Sequence, residues 1–163
     1  MSELVMVKEK EESALKSTHH LLWVRTEEPM EFIDLTDRIQ AMVRESGITF
    51  GLINLQTLHT TTAIVVNECE PLLHGDMKRL LEHLAPAEID YEHDNLAIRT
   101  VNLVPDERRN GHSHCRAMFF RTSETLNIVD GELRLGRWQR IFLLELDGPQ
   151  ERRISAMLMG SIE

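Results

Sequence analysis

Apolar positions along the chain recur at two spacings, and each spacing predicts a class of element. Leu35, Ile39, Met42 and Val43 fall on one stripe of a helix over 34–46, with Asp34 or Thr36 as its N-cap and Gly47 just past its end. Met77, Leu80, Leu81 and Leu84 mark a second helix over 76–84, closed by Pro86. Runs of strand formers cover 18–26, 48–58 and 60–66, then 125–129, 132–135, 137–146 and 152–159. Asp130-Gly131 lies between two such runs, and this pair suits the positive φ that a two-residue hairpin turn demands. Residues 86–110 follow neither period and read as a long functional or flexible loop. Residues 112–120 fit a short helix starting from Asn110-Gly111, or a strand. The order of strand, helix, strands, helix, loop and strands predicts an α+β fold, a mainly antiparallel β-sheet with two principal helices. The charged residues 1–17 read as an N-terminal arm, which leaves 18–163 as a single domain.

Composition narrows the function classes. At 163 residues the chain has the length of one domain, and 42% hydrophobic with 28% charged residues argues against disorder. Acidic residues (27) outnumber Lys plus Arg (18), and the net charge of −9 has the wrong sign for a broad nucleic-acid or anionic-membrane face. A local basic pocket stays compatible with that total. No apolar run approaches the roughly 20 residues that a spanning helix needs, and 1–16 is charged where a signal peptide is apolar. The expectation is therefore a cytoplasmic protein without membrane or nucleic-acid partners. Cys69 and Cys115 form no framework and read as reduced thiols.

Three constellations carry candidate chemistry. In the first, His59-Thr60-Thr61-Thr62-Ala63 opens a strand that Asn67-Glu68 closes. A strand puts its two ends too far apart for one site unless it curls or a neighbouring subunit contributes. The plain reading is ordinary sheet residues with a turn at His59; the functional one is a base or metal ligand at each end. The second is Asn110-Gly111-His112-Ser113-His114-Cys115. On a strand the two imidazoles share a face and suit Zn²⁺ with a third ligand from elsewhere, whereas on a helix they diverge by about 200°. The third is Gly136-Arg137-Trp138-Gln139 with Glu145-Leu146-Asp147-Gly148-Pro149 and Arg152-Arg153. Strand alternation sets Gln139, Ile141, Leu143, Glu145 and Asp147 on one face, and arginines beside a turn suit a phosphate, although the segment by itself favours an Asp-Gly-Pro turn with solvated charges. Neither a dinucleotide nor a P-loop glycine pattern occurs, so no nucleotide or flavin cofactor is expected.

Taken in order, HTTTAIVVNE (59–68), Asp76, NGHSH (110–114) and DGELRLGRWQRIFLLELDGP (130–149) resemble the YjbQ family. The resemblance runs from about residue 18 to the C-terminus. It implies an α+β subunit, a homotrimer with sites at subunit boundaries, and a thiamine phosphate synthase-type transferase activity. That activity joins hydroxymethylpyrimidine diphosphate to thiazole phosphate with release of pyrophosphate. The family's polar signature falls on His59, Thr60, Asn67, Glu68, Asp76, Asn110, His114, Trp138, Gln139, Glu145 and Asp147. The roles expected are catalysis by His59, Asn67, Glu68, Asp76, Asn110 and His114. Thr60, Trp138, Gln139, Arg152 and Arg153 would hold a small phosphorylated substrate, and His59, His112 and His114 a divalent metal, Zn or Mg. Two positions depart from the family pattern: Gln150 stands where an arginine is usual, and Arg121 where a glycine is. The alternatives are a metal-dependent hydrolase and a trimeric metal- or metabolite-binding protein.

Overall fold

The computed structural model describes residues 14–162, so of the expected N-terminal arm residues 1–13 lie outside the described part, while Leu15–Ser17 belong to the first strand. Two sheets and three α-helices follow in the order β1 (Leu15–Arg25), β2 (Phe32–Asp34), α1 (Thr36–Ser46), β3 (Phe50–Thr57), β4 (Thr62–Glu68) and α2 (Pro71–Leu84). A 3-10 turn (Glu92–Asp94), α3 (Gly111–Ala117), β5 (Ser123–Val129), β6 (Glu132–Leu133), β7 (Gln139–Glu145) and β8 (Glu151–Ser161) complete the chain. One sheet has the order β1-β8-β3-β5-β6 and the other β2-β7-β4, and every pairing is antiparallel. This is the expected α+β architecture. Among the described residues no helix is long and apolar enough to cross a membrane.

The core explains the layering. Ile53, Leu55, Ile128, Ile154, Ala156 and Leu158 from the large sheet meet Ile64, Ile141 and Leu143 from the small one, with Ile39, Met42 and Val43 of α1 packed among them. The other face of the small sheet gives Ala63, Leu144 and Leu146 to Leu81 of α2 and to Ala117 beyond it. Strand β7 is thus covered on both sides, and 141–146 are all buried. Helix α1 ends as its sequence indicates, at Gly47 with φ 71°, where the amide bonds back to the Arg44 carbonyl at 3.2 Å. Asp130 and Gly131 both have positive φ, 54° and 75°, and turn β5 into β6.

Two boundaries correct the sequence reading. Helix α2 starts at Pro71 rather than at Asp76: Pro71 fills the first turn, where an amide hydrogen is not needed, and the Glu70 carboxylate accepts from the Leu72 and Leu73 amides at 2.8 and 2.7 Å. Asp76 is therefore an exposed mid-helix residue paired with Arg79. Residues 111–117 are helical, which resolves the choice between helix and strand and turns His112 and His114 to different sides.

Strands β3 and β8 cross at Gly51 and Gly160, where a side-chain carbon on either would lie 2.2 Å from the opposite strand's backbone oxygen. Gly160→Ala is expected to cost about 1–3 kcal/mol, the usual range for forcing volume into a packed site, visible as a lower urea midpoint.

Candidate functional site

The turn between β3 and β4 carries His59, Thr60 and Thr61, and β8 holds it by backbone and side-chain bonds. Leu58 donates its amide to the Arg153 carbonyl at 3.1 Å, and the Arg153 amide donates to His59 Nε2 at 2.8 Å. An amide is only a donor, so Nε2 must carry the lone pair and the neutral ring holds its proton on Nδ1. Burial, then the Arg152 and Arg153 guanidiniums, push His59 below the ordinary imidazole value of 6.5, against the opposing pull of Glu145. His59 is a neutral hydrogen-bond donor at pH 7.

Beneath that turn lies a buried ion pair. Arg152 Nε and Nη2 donate to Glu145 Oε2 and Oε1 at 2.6 and 2.5 Å, with side-chain exposures of 3% and 0%. Glu145 Oε2 is also 3.1 Å from the Thr26 hydroxyl, and Oε1 accepts the Asp147 amide at 2.9 Å. Arg152 Nη2 reaches Thr61 Oγ1 at 3.2 Å, which ties the pair to the His59 turn. The Arg152 guanidinium is occupied, so it positions the turn and is not available to a phosphate. Arg153 is exposed, with its guanidinium 5.6 Å from the centre of the Trp23 ring.

Asp147 joins this pair to α3. Its Oδ2 accepts from Gln150 Nε2 at 2.9 Å, Arg108 Nη2 at 3.1 Å and Asn110 Nδ2 at 3.3 Å, and Arg152 lies 4.0 Å away. Gln150 brings no charge to Asp147; Arg108, from the long loop, supplies it. The loop end is anchored by Asp94 Oδ1, which accepts from the Asn110 and Gly111 amides at 2.9 Å each. Gly111 is required there, because a side-chain carbon would meet Tyr91 Cβ at 2.5 Å. His112 and His114 are half-buried; burial lowers both from 6.5, followed by Arg116 for His112 and by the neighbouring His93 for His114. Arg121 keeps an ordinary backbone, its carbonyl accepting from Ile64 at 3.2 Å, so no glycine is needed at that turn.

The remaining sequence candidates lie elsewhere. Thr62 pairs with Glu145 and Glu68 with Gln139, so the strand separates the ends of β4 by roughly 20 Å. Asn67 Oδ1 accepts the Glu68 amide at 2.8 Å, Gln139 Oε1 accepts the Gly136 amide at 2.7 Å, and exposed Trp138 lies 4.5 Å from the Arg137 guanidinium. Thr60 is exposed in the His59 turn. One chain therefore brings together His59, Asn110, Glu145, Asp147 and Arg152, with His112 and His114 beside them, and leaves Asn67, Glu68, Asp76, Trp138 and Gln139 outside this end. The expected metal triad does not fit: His59 has one nitrogen engaged and the other protonated, and His112 and His114 diverge on a helix. Among the described residues no three His, Cys, Asp or Glu side chains are placed to hold a metal ion. Sequence reasoning missed Thr26 and Arg108, neither of which lies in a motif.

Glu145→Gln leaves Arg152 as an uncompensated buried charge and is expected to cost about 3–5 kcal/mol in chemical denaturation. Replacing both partners, as Glu145→Leu with Arg152→Met, is expected to recover much of that loss. Three depressed imidazoles mean that the unfolded chain takes up protons before the folded one as pH falls below 6.5. The thermal midpoint is expected to drop from about pH 7.5 to about pH 5.5, and to drop less in His59→Gln.

The family model for UPF0047 protein YjbQ-like matches residues 20–161. A UPF0047 protein of Methanothermobacter thermautotrophicus is 35% identical, covering 84% of this chain and 88% of its own. YugU of Bacillus subtilis, also a UPF0047 protein, is 31% identical over 85% of this chain and 97% of its own. Among solved structures, a YbjQ-like protein of unknown function from Sulfolobus solfataricus P2 superposes with TM-score 0.80 at 30% identity, covering 91% of this chain and all of that one. A hypothetical protein from Aeropyrum pernix K1 gives 0.77 at 30% identity, over 88% and 99%. The described fold and these matches agree, and the chain belongs to the YjbQ-like UPF0047 family.

Proposed function

We propose that the chain is an enzyme of small phosphorylated substrates, a thiamine phosphate synthase-type transferase. It would join hydroxymethylpyrimidine diphosphate to thiazole phosphate and release pyrophosphate, as the sequence resemblance implies. The observation that best supports this reading is His59, a neutral imidazole whose Nε2 is fixed by a backbone amide and whose Nδ1–H is left for a ligand. In such a transfer the carbon–oxygen bond to the diphosphate breaks and its electron pair leaves on the pyrophosphate oxygen. The His59 N–H stabilises that oxygen, a role that grows as charge develops. Arg153 and Arg108 supply positive charge at the same end, and Asn110 and His114 line it. Two thiols without a disulfide among the described residues favour a cytoplasmic setting.

The reading also includes a homotrimer. The outer face of the five-stranded sheet exposes Leu21, Trp23, Leu52, Met157 and Met159, interleaved with His19, Asn54, Ser155 and Arg153, a set of large exposed apolar side chains that supports association. Association would let the Glu68–Gln139 end of one copy approach the His59 end of another, which one chain cannot do.

Pyrophosphate release from the two substrates is the direct test. His59→Gln is expected to lower kcat/KM by about 10²–10⁴-fold, the usual size of a lost proton-handling group. Unchanged turnover in that variant, or hydrolysis of the diphosphate far outpacing transfer, would overturn the assignment, the second result in favour of a hydrolase. Leu52→Lys is expected to reduce the mass seen by light scattering from three chains to one, with activity lost in parallel.

A further inference from the structure

The strongest unexplained feature lies outside the His59 turn. His93, on the 3-10 turn, brings its ring centroid to 4.6 Å from that of His114 on α3, with the planes inclined by 59°. His93 Nε2 is buried without a hydrogen-bond partner, and so is Asn110 Oδ1. No hydrogen bond engages the His114 ring among the described residues. Buried polar atoms are nearly always satisfied, so an unused His93 nitrogen packed beside the His114 ring, with an unused amide oxygen at the entry of the same helix, points to a missing ligand.

The orientation of Asn110 is dictated by its neighbours. Asp147 only accepts, so Nδ2 must face it, which leaves Oδ1 as the free atom of the amide. Asn110, the cap residue of α3, accepts the His114 amide at its backbone carbonyl at 3.3 Å, which places it one turn before His114. The local charge suits a cation. Arg99 approaches the His93 carbonyl at 3.3 Å and is paired with Glu107 at 2.9 Å; on His114 its positive charge is opposed by Asp147 and Asp94. Paired imidazoles with an amide oxygen favour a borderline transition metal of the zinc type over Mg²⁺, which prefers carboxylates and water.

We propose that His93 and His114 bind a divalent transition-metal ion of the zinc type, with Asn110 Oδ1 as a third donor and solvent oxygens in the open positions. This site differs from the sequence-derived triad in replacing His59 and His112 by His93. It does not depend on the transferase reading, since metal binding is measured without turnover.

The test is equilibrium loading of the metal-stripped full chain with Co²⁺ or Zn²⁺, read by elemental mass spectrometry and by the visible absorption of bound Co²⁺. About one ion per chain is expected in the parent and in His59→Gln. His93→Gln and His114→Gln are expected to lose at least about tenfold in affinity, while His93→Cys, which keeps a ligand atom, retains binding. Circular dichroism of the metal-free variants separates loss of a ligand from loss of the fold. A parent that takes up no ion, a His93→Gln variant that folds and binds as the parent does, or a loss in His59→Gln would each overturn the site.

Discussion

Much of the arrangement depends on the contact between Glu145 and Arg152. Both charges are removed from water, a transfer that costs several kcal/mol per ion unless every lone pair and proton is met. Meeting them recruits Thr26 from just beyond β1, Thr61 from the His59 turn and the Asp147 amide from the turn after β7. Three segments distant in sequence, around Thr26, Thr61 and 145–152, must therefore converge before the pair is satisfied. The position of His59 follows, because the strand that carries Arg152 also presents the Arg153 amide that fixes the imidazole. So does the direction of Asp147, through which Arg108 and Asn110 of the long loop are drawn to the same end.

How much of this was legible depends on whether the determinant is local. The α1 stripe with its closing glycine and the Asp130-Gly131 hairpin follow from short-range rules and stand where the sequence puts them, although α1 begins at Thr36 after Leu35 as its cap residue, in place of the expected Asp34 or Thr36 cap, because Asp34 belongs to β2. The start of α2 was missed because its first turn buries nothing, Leu72 being exposed, so the inward-facing stripe begins later than the helix; Pro71 after Glu70 was the available signal. For β7 the alternation assigned faces correctly, with Glu145 beside Ile141 and Leu143, but no cleft forms there because a sheet covers one face and α2 the other. Pairing with Arg152 was beyond any local rule, as was the approach of His93 to His114, which depends on the path of residues 95–110 between them.

The family pattern constrained positions more than roles. His59, Asn110, Glu145 and Asp147 converge, yet their partners give them different work: a proton held on one nitrogen, a helix entry, a buried counter-ion and a hub for three donors. Gln150 illustrates the point. Where a guanidinium is usual, an amide still reaches Asp147, and the positive charge arrives from Arg108 on a different segment.

The β4–β7 ladder sets the last constraint. Its register holds Thr62 against Glu145 and Glu68 against Gln139, and an extended strand cannot shorten the distance between these pairs. A substrate that needs groups from both ends must therefore be met by two copies or must move. The exposed apolar row on the large sheet supplies a reason for the first, since burying it gains roughly 25 cal/mol per Å² and leaves the polar rims free to face one another. In the proposed trimer, the hydrophobic face supplies the binding energy and the rims the chemistry. Within each chain the buried ion pair holds the His59 turn in place, because moving the turn would break the Thr61 contact to Arg152.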